Sequence, residues 1–156
     1  MIDIQISDDY LEEVNSEWID TSVKAVMNQI KPDMPYTVSV VVDSDEMIQG
    51  LNKDYLGIDS PTDVLSFPSG ETEPEPDSEA GEIYLGDIII SFPRAGKQAA
   101  AAGHPVQSEL MLLTVHGMLH LLGFDHAEIE EKALMWKIQA DILSKLGVDI
   151  RRLPEE

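Results

Sequence analysis

His116-Gly117-Met118-Leu119-His120-Leu121-Leu122-Gly123-Phe124-Asp125-His126 is the segment on which both the fold and its use turn. It closes a proline-free run rich in helix formers, so a helix is expected over 106–122. His116 and His120 are four apart, and both rings project from one helical face. Gly123 stands where a left-handed C′ residue belongs, with Phe124 at C″ placed to pack on Leu119 in a Schellman ending. The chain doubles back there, and His126 is returned toward the other two rings.

Outward from this segment the chain alternates between two periods. Helices are expected at 93–102 and 127–146, on either side of the central one. Ile2, Ile4 and Ile6 alternate with polar residues, as do Val38, Val40 and Val42, the period-2 sign of half-buried strands. Between them, Asp9 with Glu12 forms a capping-box start to a first helix through Leu11, Val14, Trp18 and Ala25, broken at Lys31-Pro32. A second helix runs from Asp45 to Tyr55 and ends at Gly57. A third strand, 63–67, follows the Pro61 turn, and 82–91 reads as a long strand, interrupted or bulged near Gly86. Residues 69–80, with five carboxylates and two prolines, read as a mobile acidic loop. The sum is an α+β fold over 1–156, one domain with a small mixed sheet of about four strands packed with about five helices.

Thirty acidic against ten basic residues give a formal charge of -20 over 156 residues, a field that repels nucleic acid and anionic membranes alike. Arg94 with Lys97, and Arg151 with Arg152, are the weak basic exceptions. No apolar run approaches the ~20 residues of a membrane span, and there is no secretory signal or cysteine, so a cytoplasmic location is expected.

Three of the four histidines fall in the opening segment, and His116, His120 and His126 are the expected ligands of one metal ion per chain. Three converging imidazoles without a metal repel one another when protonated. Neutral imidazole suits Zn²⁺, and three protein ligands leave a fourth position for water, whose pKa Zn²⁺ lowers to about 7. This is the pattern of hydrolytic catalysis. In the metalloprotease pattern a glutamate follows the first histidine as general base, and here that position is Gly117. Asp125 is the nearest carboxylate. It is either a catalytic group or, with Glu128, the capping box of the last helix. Glu109 lies two turns before His116 and ranks second, and His104, between Gly103 and Pro105, reads as an exposed loop residue. Trp18, Trp136, Met111, Met118 and Met135 sit at helical spacing as core or core-edge residues.

The histidine segment closely resembles the signature of the YbeY family of bacterial endoribonucleases, or rRNA maturation factors. Pro61-Thr62-Asp63-Val64-Leu65-Ser66-Phe67-Pro68 and Leu85-Gly86-Asp87-Ile88 resemble that family's other motifs in the same order. The resemblance implies a cytoplasmic metalloprotein with its metal on three histidines, acting on single-stranded RNA. It also implies 16S rRNA 3′-end maturation, ribosome quality control and contact with the ribosome or a small-subunit protein. It brings Asp63 and Asp87 in as site neighbours. Where the family reads Tyr-Arg-Gly this chain has Tyr55-Leu56-Gly57, and Lys53 or Arg94 are the candidates to supply the missing cation; Arg94 is taken as catalytic with Asp125. Two rival readings remain: a ribosome-associated assembly factor with a mainly structural metal, and a metal-dependent hydrolase of another substrate.

Overall fold

The computed structural model describes residues 1–70, 81–148 and 150; the acidic stretch 71–80 and the Arg151-Arg152 pair lie outside them. Chain order is β1 (Ile2–Ile6), a single 3₁₀ turn (Asp8–Tyr10), α1 (Ser16–Ile30), β2 (Tyr36–Asp43), α2 (Asp45–Leu56) and β3 (Val64–Pro68). It continues with β4 (Ile83–Ser91), α3 (Phe92–Ala102), α4 (Val106–Leu121) and α5 (Ile129–Lys145). The four strands form one sheet in the order β1-β2-β4-β3. The β1–β2 and β2–β4 pairs are parallel, and β3 runs antiparallel to β4 at the edge. Parallel neighbours need a crossover, which α1 provides between β1 and β2. The architecture is the expected mixed α+β single domain. No helix among the described residues is long and apolar enough to cross a membrane.

The run Ile88-Ile89-Ile90 explains why β4 is central. Ile88 and Ile90 join the main core with residues of α1, α3, α4 and α5, whereas Ile89 packs with Ile48 of α2 and Leu65 on the other face. A strand covered on both faces has no reason to alternate. Within the main core α4 is the innermost element: twelve of its sixteen residues are buried. A helix apolar all round cannot lie on a surface, and here the sheet, α1, α3 and α5 surround it.

Two helix starts differ from the sequence expectation. The Asp9–Glu12 capping box does not form. Ser7 caps the short 3₁₀ turn, and α1 begins at Ser16 with Asn15 Oδ1 accepting the Glu17 N–H at 2.9 Å. Asn15 wins because its neighbours complete a hydrophobic staple: Val14 before the cap and Ile19 at the fourth helical position both belong to the core. Likewise α5 starts at Ile129, with Glu128 at the N-cap making no side-chain bond, so the Asp125–Glu128 box is not formed.

The bulge near Gly86 is present. Register shifts by one residue where Thr37 and Ser39 of β2 face Tyr84 and Asp87 of β4. Gly86 adopts φ 137°, and a Cβ there would lie 2.2 Å from the Phe67 carbonyl oxygen and 3.1 Å from Leu121 Cδ2. The bulge thus lets the sheet close against both β3 and the last turn of α4. Gly86→Ala is expected to destabilise the fold by on the order of 3 kcal/mol, read from urea unfolding; an unchanged midpoint would show that the backbone relaxes freely there.

Candidate metal centre

The C-terminus of α4 builds the site. Gly123 takes φ 97°. Its N–H donates to the His120 carbonyl at 3.0 Å, and the Phe124 N–H donates to the Leu119 carbonyl at 3.0 Å. These are the two bonds of a Schellman motif, and Phe124 packs against the core as the motif requires. The reversal carries His126 back over α4. Its ring centroid lies 5.9 Å from that of His116 and 5.1 Å from that of His120. One ring nitrogen from each of the three lies within 4.8 Å of the others.

The rear nitrogens decide which lone pairs face inward. His116 is fully buried, and its Nδ1 lies 2.9 Å from Oε1 of Gln139 on α5. An amide oxygen only accepts, and with it the contact fits a His116 protonated on Nδ1 with Nε2 facing the other rings. That atom is 3.1 Å from Nε2 of His120, whose ring is also hydrogen-bonded to the Phe124 backbone. Ring nitrogens brought this close suit a cation held between them, and the donor set of three imidazoles fits Zn²⁺. Burial, then the neighbouring His126, lower the pKa of His120 from its ordinary 6.5, with Asp125 and the Phe124 backbone opposing the shift. Burial prevails, and the ring stays in the neutral form that a metal requires.

His120 and His126 line an open cavity of about 490 Å³, with His116 sealed beneath them. Phe124 and Asp125 of the turn and Val64, Ser66 and Pro68 of β3 complete its lining. Asp125 is exposed, and its Oδ1 accepts the His126 backbone N–H at 2.7 Å, which stiffens the turn. Gly117 faces the sheet: a Cβ would meet Ile88 Cγ2 at 2.9 Å, and the Gly117 carbonyl accepts a bond from Ser66 Oγ at 3.2 Å. The close approach of helix to strand leaves no space for the glutamate of a metalloprotease.

Other residues singled out in the sequence lie elsewhere. Arg94, at the start of α3, has its Nε 3.7 Å from Asp45 Oδ1 and does not line the cavity. Lys53 and Leu56 lie on the exposed last turn of α2 and do not line the cavity. Asp87 pairs with Phe67 on the α2 face of the sheet and accepts the Tyr84 hydroxyl at 2.5 Å. Asp63 is buried just before β3, where its backbone carbonyl accepts the Ser91 N–H at 3.0 Å. His104 is not an exposed loop residue. Its side chain is 16% exposed, with Nε2 2.6 Å from the fully buried Glu109, because that carboxylate needs a partner.

Two side chains at the site escaped the sequence reading. Gln139 is a buried amide on a stripe of α5 otherwise made of Met135, Ile142 and Leu143. A polar residue on an apolar stripe was its one visible sign. Trp136, read as core edge, stacks on His116 at 5.5 Å and 25° and on His126 at 5.6 Å and 19°.

The lowered His120 pKa has a definite sign for stability. The unfolded chain binds a proton near 6.5 and the folded one only below it, so this group's contribution is complete above pH 6.5 and lost as pH falls through the folded value. In the metal-free protein an NMR titration of His120 is expected to give a midpoint below 6.5; a midpoint above it would mean that Asp125 outweighs burial.

The family model described as endoribonuclease YbeY matches residues 1–147. Endoribonuclease YbeY of Geobacillus kaustophilus is 43% identical over 150 residues, covering 90% of this chain and 96% of that protein. Its namesake from Caldicellulosiruptor saccharolyticus is 41% identical over 143 residues, covering 88% and 90%. That of Halalkalibacterium halodurans is 50% identical over 117 residues, covering 72% and 74%. A solution structure of a Thermotoga maritima protein, 24% identical, matches with a TM-score of 0.57 over 94% of this chain and 92% of that one, a likeness of fold.

Proposed function

The chain belongs to the endoribonuclease YbeY family, and from that premise we propose that it is a zinc-dependent single-strand endoribonuclease with one metal held by His116, His120 and His126. Its proposed work is 16S rRNA 3′-end maturation and ribosome quality control in the cytoplasm. The observation that carries the metal part is the convergence of one ring nitrogen from each of the three histidines within 4.8 Å, two of the rings lining an open cleft.

Zn²⁺ bound there supplies Lewis acidity toward a phosphoryl oxygen and a nucleophile from water near neutral pH. The chain's own residues do the rest. The two α4 histidines are fixed by helix packing, and the turn bonded through Asp125 holds the third. Asp125, in the cavity lining, is the candidate proton acceptor for the attacking water. Phe124 offers an aromatic face against which a base of a single strand can stack. Arg94, engaged with Asp45, serves in this reading to tie α3 to α2.

Affinity for free RNA is expected to be low. The formal charge is -20, and among the described residues no lysine or arginine lines the cavity. The ribosome, through a basic small-subunit protein, is the proposed source of attraction. The same lack of cations, with Leu56 exposed where the family has arginine, favours a second reading: an assembly factor whose metal mainly joins α4 to the turn before α5.

Purified protein and its His120→Ala variant, assayed for metal and for cleavage of a single-stranded RNA with and without chelator, separate the two. The first reading expects about one zinc per wild-type chain, cleavage only with metal, and a folded variant that does neither. Metal-loaded protein that leaves RNA intact even with ribosomes present would transfer the case to the assembly factor.

A further inference from the structure

Trp136 and Gln139, both on α5, stand behind the histidines and have no part in the reaction outlined above. Gln139 is 3% exposed, and an amide so buried is costly unless it is bonded. Its Oε1 meets His116 Nδ1 at 2.9 Å across 23 residues of sequence. The cost is thereby offset, and the ring is held in one tautomer. Trp136 lies nearly parallel to His116 and to His126, so one indole abuts the ligand fixed by α4 and the ligand fixed only by the turn.

We propose that Gln139 and Trp136 are positioning residues of the metal centre: Gln139 sets the Nδ1–H tautomer of His116 so that Nε2 faces the metal, and Trp136 sets the plane of His126. The proposal rests on the metal reading above and deepens it. The contact atom on His116 is a neutral amide, where metal-bound histidines often use a carboxylate. The outer contact therefore orients this ligand without adding negative charge to a chain already at -20. α5 is then the second wall of the site, although it contributes no ligand itself.

The test uses the full chain, stripped of metal. Zn²⁺ affinity is measured by competition with a chromophoric chelator for wild type, Gln139→Leu, Gln139→Glu and Trp136→Leu, and the His116 tautomer is read by ¹⁵N NMR of the wild type. Gln139→Leu is expected to weaken Zn²⁺ binding by about 10–100-fold. Gln139→Glu, which keeps an acceptor at the same place, should bind at least as tightly as wild type. Trp136→Leu should weaken binding with circular dichroism unchanged. Wild-type affinity in Gln139→Leu, a loss of about tenfold or more in Gln139→Glu, or an Nε2-protonated His116 would overturn the Gln139 assignment. Unchanged affinity in Trp136→Leu would overturn that of Trp136. Should Gln139→Leu fail to fold, the glutamate variant and the tautomer still decide. Wild-type protein that takes up no Zn²⁺ would defeat the metal reading instead, while the tautomer would still report on Gln139.

Discussion

A helix that is apolar on every side has to be surrounded, and α4 sets that condition for the whole molecule. The sheet lies against one side of it, and α1, α3 and α5 take the others. Its fit to β4 is close enough that Gly117 has no room for a Cβ beside Ile88. Burial on this scale makes a polar side chain on α4 expensive. Each buried polar side chain on the helix therefore has a partner: Glu109 meets His104, Thr114 bonds back to the Leu110 carbonyl, and His116 meets Gln139. Those partners orient the groups they satisfy, so the packing of the core and the aim of the first ligand follow from one constraint.

The end of α4 turns that constraint into a site. Gly123 stops the helix, and the Schellman bonds fix the angle at which the chain leaves. His126 then returns over the helix axis while His120 is still half-buried on it. Desolvation and proximity to His126 work against protonation of His120, and Asp125 works for it. Burial is the largest of these effects and lowers the His120 pKa from its ordinary 6.5. The surrounding charge does not help an RNA substrate. The chain's overall field opposes it, and recognition has to come from the shape of the cleft and from whatever presents the strand.

Much of this was legible in the sequence because it is local. Alternation at Ile2, Ile4 and Ile6 and at Val38, Val40 and Val42 gave two strands, and Gly57 and Gly123 marked helix ends at left-handed residues. The bulge at Gly86 was also visible as a glycine within a strand pattern. What the sequence concealed was choice among local options and contact over distance. The sequence pointed to Asp9 as the cap of α1, whereas the burial of Val14 and Ile19 on either side of the helix start favours Asn15. Gln139 and Trp136 come to the histidines through the packing of α5 on α4, a contact with no local period. His104 was misread because its partner, Glu109, turns inward only once α4 is packed.

X-ray absorption on the zinc-loaded protein tests the proposed sharing of one metal ion by three imidazoles most directly, since it counts and identifies donors without reference to activity. Three histidine nitrogens at about 2.0–2.1 Å, completed by a lighter oxygen donor, is the predicted first coordination sphere. A sphere of oxygens alone, or one retaining all its histidine scattering after His126→Ala, would contradict the site.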